Sequence, residues 1–177
     1  RQPKISLTAL NLALISAGPN LGRWRSMMTA LANWKHWIVP QKHPRTGCVP
    51  TGYQMLLRAG SVPIKDEPTF QDRYDLDKDL RPEDVRSGRA KAQNNFESVR
   101  QRVLADHPGI ALEIRHHKTG LDKVRFLEEQ IRTGAPTIVS VLVKDTGPDR
   151  GFHIYLAVED TGDYLVLKNL SGAPGGN

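Results

Sequence analysis

The chain has a single cysteine, Cys48, among its 177 residues. An internal disulfide is therefore excluded, which suits a reducing cytoplasm and equally a secreted thiol enzyme. No stretch approaches the roughly 18 consecutive apolar residues that a membrane helix needs, so no membrane span is expected. Aromatic residues make up 6% of the chain and are little interleaved with the basic ones. Nucleic acid, which needs stacking platforms as well as positive charge, is not an expected partner. Acidic residues are missing from the first 65 positions, which carry nine Lys or Arg; the remaining 112 carry 16 basic against 19 acidic residues. A field of that sign draws acidic substrates or surfaces and favours a thiolate, while a solvated basic face balancing the acidic remainder is the plainer reading.

What is present suits one domain. At 38% hydrophobic and 25% charged residues, with a net charge of +6, the composition is that of a soluble globular chain long enough to bury its own core. Residues 5–17 follow a basic start with an apolar run, superficially like a signal peptide; Asn11 interrupts it and Gly18-Pro19-Asn20 reads as a helix stop, so a short packed helix is expected there. Leu21, Trp24, Met27, Met28, Leu31, Trp34 and Trp37 recur at helical spacing and predict a second helix, ending at Val39-Pro40.

Residues 65–91 hold seven basic and eight acidic residues in 27 positions. Such a stretch is expected to bury little, as a charged surface insertion. Helical spacing returns through Phe96, Val99, Val103 and Leu104, followed by a short strand over 110–115. His116-His117 is expected to be exposed, since adjacent histidines diverge and no further ligand stands at zinc-like spacing; neither a metal nor a cofactor is expected. A helix from Thr119 buries Val124, Leu127 and Ile131 and stops at Gly134 and Pro136. The β-branched run 137–143 and the runs 152–159 and 163–168 then predict an antiparallel sheet of three strands. The fold class is α+β: helices first, sheet last. Ser171–Asn177 reads as a flexible tail.

The chemistry centres on residues 41–60. Pro40, Pro44, Gly47 and Pro50 keep the approach irregular, while Tyr53, Met55, Leu56 and Leu57 supply a helix that Gly60 ends. Cys48 thus stands at a helix N-terminus, where free N–H groups and the helix dipole favour the nucleophilic thiolate. Far downstream, His153 lies in one apolar strand and Asn169 ends the next. Alternation puts His153, Tyr155 and Ala157 on one side of their strand. Pairing across the turn at 160–162, with partner numbers summing to about 322, brings Asn169 opposite His153.

Nucleophile early, base late and amide last is an order that resembles the papain-like cysteine peptidases, most closely the branch that removes double-glycine leaders from bacteriocins. The resemblance covers residues 41–60 and 121–170. It implies a papain-like fold with Cys48 as nucleophile, His153 as general base, Asn169 as the residue orienting the imidazole and Gln41 as an oxyanion donor. Two features depart from the pattern: Gln41 stands seven places before Cys48, and Val49 and Pro50 replace small residues. The expected function is hydrolysis of a peptide, isopeptide or amide bond in a peptide or protein substrate through a thioester. The alternatives are a catalytically silent domain of this fold that binds a peptide or protein, and an acyl transferase or deamidase. The sequence does not fix the oligomeric state.

Overall fold

The computed structural model describes residues 11–16, 31, 33–144, 151–160 and 165–168. Five strands form one sheet: β1 (Asn11–Ser16), β2 (Ala111–His116), β3 (Thr137–Lys144), β4 (Gly151–Asp160) and β5 (Leu165–Lys168). They lie in the order β2-β1-β3-β4-β5, every neighbour antiparallel. The helices are α1 (Trp34–Trp37), α2 (Cys48–Ala59), α3 (Phe70–Tyr74), α4 (Pro82–Arg86), α5 (Phe96–Asp106) and α6 (Gly120–Thr133). The α+β class holds.

The order of the elements differs from the expected one at the first described segment. Residues 11–16 form a strand, not part of a helix, and it is paired on both edges, with β2 and with β3. A short apolar run reads the same in a buried helix and a central strand, so here the ladder partners decide. Among the described residues the sheet therefore has five strands instead of three, and it includes chain from before and between the helices. Of the helix expected through Trp37, only α1 falls within the described residues.

Alternation divides the sheet's side chains between two cores. Ile138, Ile154, Leu156 and Val158 pack with Val49, Tyr53, Met55, Leu56 and Leu57 of α2 and with Phe96, Val99 and Val103 of α5. Val139, Val141 and Ala157 face the other way, onto Leu127 and Ile131 of α6. Helices thus cover both faces. At roughly 2 kcal/mol for each large apolar side chain taken from water, buried Val49, Tyr53, Met55, Leu56 and Leu57 make α2 the main support of the first core. Helix α6 is capped by the Thr119 side chain, which accepts from the Asp122 N–H at 3.1 Å, a bond typically worth about 1 kcal/mol.

Helix α2 lies close against the sheet at Gly52. A Cβ there would stand 2.8 Å from Ile154 Cγ2 and 2.9 Å from Ile138 Cδ1. Gly52→Val should accordingly lower stability by about 1–3 kcal/mol through overpacking, read as a lower urea midpoint at unchanged slope. An unchanged midpoint would mean that α2 can lift from β3 and β4 without penalty.

The charged stretch 65–91 departs from its expected solvent exposure. Phe70, Gln71, Tyr74, Asp75 and Asp77 are all buried. Phe70 and Tyr74 lie on one side of α3 with ring centroids 4.4 Å apart, and Asp75 and Asp77 find hydrogen-bond partners that a count of charges cannot foresee. The pairing of β4 with β5 also differs from the expected register. Lys168 lies opposite Leu156, where a sum of 322 would have put it opposite Ile154. His117 is half-buried instead of exposed, its ring 4.9 Å from that of Phe126.

Candidate functional site

Helix α2 begins at Cys48, as its flanking prolines and glycines predict. The turn before it is drawn tight around one carbonyl. His43 O accepts from Gly47 N at 2.8 Å and Thr46 N at 3.3 Å, and from the side-chain Nε2 of Gln41 at 2.7 Å. A Cβ at Gly47 would fall 2.9 Å from that same oxygen, so the turn closes this far only around glycine. Thr51 Oγ1 bonds back to Gly47 O at 2.7 Å, tying the turn to the first turn of the helix.

Two buried polar side chains beyond α2 hold this loop. Gln71 uses its whole amide. Its Oε1 accepts from Lys42 N at 2.7 Å and lies 2.9 Å from Thr51 Oγ1, whose one proton it shares with Gly47 O, and its Nε2 donates to Pro40 O at 2.8 Å and Gln54 Oε1 at 2.9 Å. Asp75, whose side chain is 0% exposed, accepts from Thr46 Oγ1 at 2.7 Å, Asn94 Nδ2 at 2.6 Å and Asp77 N at 3.0 Å, with His43 Nδ1 at 2.7 Å. The other nitrogen of the His43 ring lies 2.9 Å from Asp72 Oδ1, and Lys42 pairs with the same carboxylate. Burial works to raise the Asp75 pKa, but the bonds from Thr46, His43 and Asn94 outweigh it and hold the carboxyl below its ordinary value.

Cys48 itself is half-buried and packs on the α2-side core. Its thiol is pushed up to about 11, first by burial and also by the negative charge of Asp75, against the main-chain N–H groups of Val49, Cys48 and Ile154, which favour the anion. The helix-terminus effect expected from sequence is present but loses to desolvation. At neutral pH the group is a thiol, which corrects the expectation of a resting thiolate.

Cys48 is brought beside β4, the strand that carries His153. The Cys48 sulfur reaches the main chain of Ile154, the residue after His153. The His153 ring sits edge-on to Tyr155, 5.1 Å between centroids, on the sheet face opposite Ile154 by strand alternation. Burial lowers the His153 pKa below its usual 6.5, so the imidazole is neutral at pH 7. Gln41 is 5% exposed, its Nε2 engaged by His43 O and its Oε1 buried with no hydrogen-bond partner among the described residues. Asn169 lies outside the described residues.

Sequence reasoning passed over Gln71, Asp75 and Asn94, which position the cysteine loop from 23 to 46 residues downstream of it. No local pattern marks them, because each acts through one long-range bond set. Among the described residues no helix is long and apolar enough to cross a membrane. The chain matches no protein-family model, no curated protein and no solved structure.

Proposed function

We propose that the chain is a papain-like thiol hydrolase that cleaves a peptide, isopeptide or amide bond, with Cys48 as nucleophile and His153 as general base. The observation that carries this reading is the seat of the Cys48 sulfur, at the first turn of a buried helix and against the main chain next to His153. The first step requires the His153 ring to turn from the Tyr155 side of β4 toward the sulfur; a neutral His153 then takes the thiol proton as sulfur attacks the carbonyl carbon. The S–C bond forms and the oxygen becomes an oxyanion. Collapse breaks the C–N bond, the amine leaves with the proton from the imidazolium, and water then hydrolyses the thioester. Asn169 would orient the imidazole. The N–H groups of Cys48 and Val49 are better placed than Gln41 to receive the oxyanion, since the Gln41 amide is already bonded to His43 O.

A second reading, a silent domain of the same fold that binds a peptide, draws on two specific features. The thiol is held protonated, and His153 shares its sheet face with Tyr155 instead of Ile154.

Acylation by p-nitrophenyl acetate separates the two. The ester acylates Cys48 and releases nitrophenolate, and a working base accelerates that step by roughly 10²–10⁴-fold. The hydrolase predicts a burst of one nitrophenolate per chain, a thioester located at Cys48 by mass spectrometry, and a loss of at least about 10²-fold in His153→Ala. Equal rates in the wild type, His153→Ala and free cysteine, with the fold intact by circular dichroism, would leave the silent binder.

A further inference from the structure

Between α3 and α5 lies a cavity of about 310 Å³ lined by Arg73, Tyr74, Arg102, Ala105 and Asp106. Its floor is rigid. Tyr74 is 2% exposed and its ring is tilted at 44° against that of Phe70, and its hydroxyl donates to Asp106 Oδ2 at 2.6 Å. The same oxygen takes Arg73 Nη2 at 2.9 Å, and the Arg73 guanidinium lies over the Tyr74 ring, 5.6 Å from its centroid. One carboxylate thus fixes both the tyrosine and the first arginine.

The second arginine is in a different situation. Arg102 is exposed, one turn before Asp106 on α5, yet among the described residues it has no hydrogen-bond or ion-pair partner. Its field nevertheless reaches the Tyr74 hydroxyl, which puts it over the same cavity. The wall therefore carries two guanidiniums against one carboxylate, and that carboxylate is already occupied by two donors. A guanidinium is a planar fork of N–H donors matched to two oxygens of a carboxylate or phosphate.

We infer that this cavity is a binding site for an oxyanion, a carboxylate or phosphate group held by the Arg102 fork with Arg73 beside it. The arrangement is economical in entropy, because Arg73 is already ordered by Asp106 and Tyr74 and only Arg102 has to be immobilised. A volume near the lower end of small-molecule sites leaves room for the anionic group and a few further atoms resting on the tyrosine ring. The charge excess suits the basic character of the whole chain, which raises the local concentration of anions before any specific contact forms.

The test is a titration of the full chain with inorganic phosphate, and separately with acetate, at ionic strength held constant with chloride, followed through the arginine Nε–H resonances and by calorimetry. Saturable shifts at Arg102 and Arg73 with either anion support the site, and the anion that binds more tightly identifies the head group. Arg102→Gln should weaken that binding at least tenfold while leaving the melting temperature unchanged, since the side chain has no partner to lose among the described residues. Arg89→Gln, which removes an exposed arginine paired with Asp84 elsewhere, should leave it as it is. Shifts that fail to saturate with both anions, or equal responses in the Arg102 and Arg89 variants, would reduce the effect to general screening and overturn the inference. The readout needs no chemistry at Cys48, so it stands or falls apart from the hydrolase reading.

Discussion

Replacing Asp75 by alanine is expected to destabilise the protein by about 3–5 kcal/mol, the scale on which a buried charge pair is lost when one partner is removed. The carboxylate takes four bonds, from Thr46, Asn94, the Asp77 main chain and His43. Alanine removes the acceptor these four donors share, at a position where the carboxylate itself is 0% exposed. For a chain of this length each kcal/mol moves the melting temperature by roughly 2–4 °C, so a drop on the order of 10 °C should be seen. The sign of the pH dependence follows from the same bonds. The Asp75 pKa is lower in the folded state than in the unfolded one, so its contribution is complete above the unfolded carboxylate pKa of about 3.9 and disappears as the pH falls through the folded value. The wild type should lose stability steeply on acidification below about pH 4, and Asp75→Ala less steeply. A loss under about 1 kcal/mol, or parallel acid limbs, would show that the loop is held by Gln71 alone.

The consequence for the site is that the loop before Cys48 is held by long-range bonds, and this sets what the sequence could reveal. The start of α2 was legible because proline and glycine act locally: the Gly47 turn and the Gly60 stop need only their neighbours. The same holds for α6, with Thr119 as its cap, and for β3 and β4, whose β-branched runs identify themselves. Strand β1 was misread because what makes it a strand is β2, about 100 residues away, and β3 beyond that. Residues 70–77 were misread for the related reason that burial of a polar side chain depends on partners. Gln71 and Asp75 are as polar as Lys78 and Asp79, and only a completed bond set puts the first two inside. The Cys48 pKa was misjudged by weighing the helix terminus without the core that closes over it.

The largest effect concerns that thiol. On the proposed hydrolase reading, Cys48→Ala should abolish thioester formation and lower amide hydrolysis on the order of a millionfold, as removal of a nucleophile does elsewhere. The pH profile then distinguishes how the pair works. An enzyme resting as thiolate and imidazolium gains activity as a depressed thiol pKa is passed and loses it as the imidazolium gives up its proton. Here the resting groups are the reverse: a thiol held up to about 11, mainly by burial, and an imidazole whose pKa burial lowers from 6.5. Attack requires the neutral imidazole, which is present above its folded pKa. The rate should therefore rise through a single limb below pH 6.5 and remain level across neutrality, with no falling limb until the thiol itself ionises. His153→Ala should erase the acid limb and leave a slow rate that climbs only toward pH 11. A bell centred near neutrality would mean that substrate binding opens the α2 end enough to solvate the sulfur and restore the ion pair, and the Cys48 environment described above would then belong to the resting protein alone.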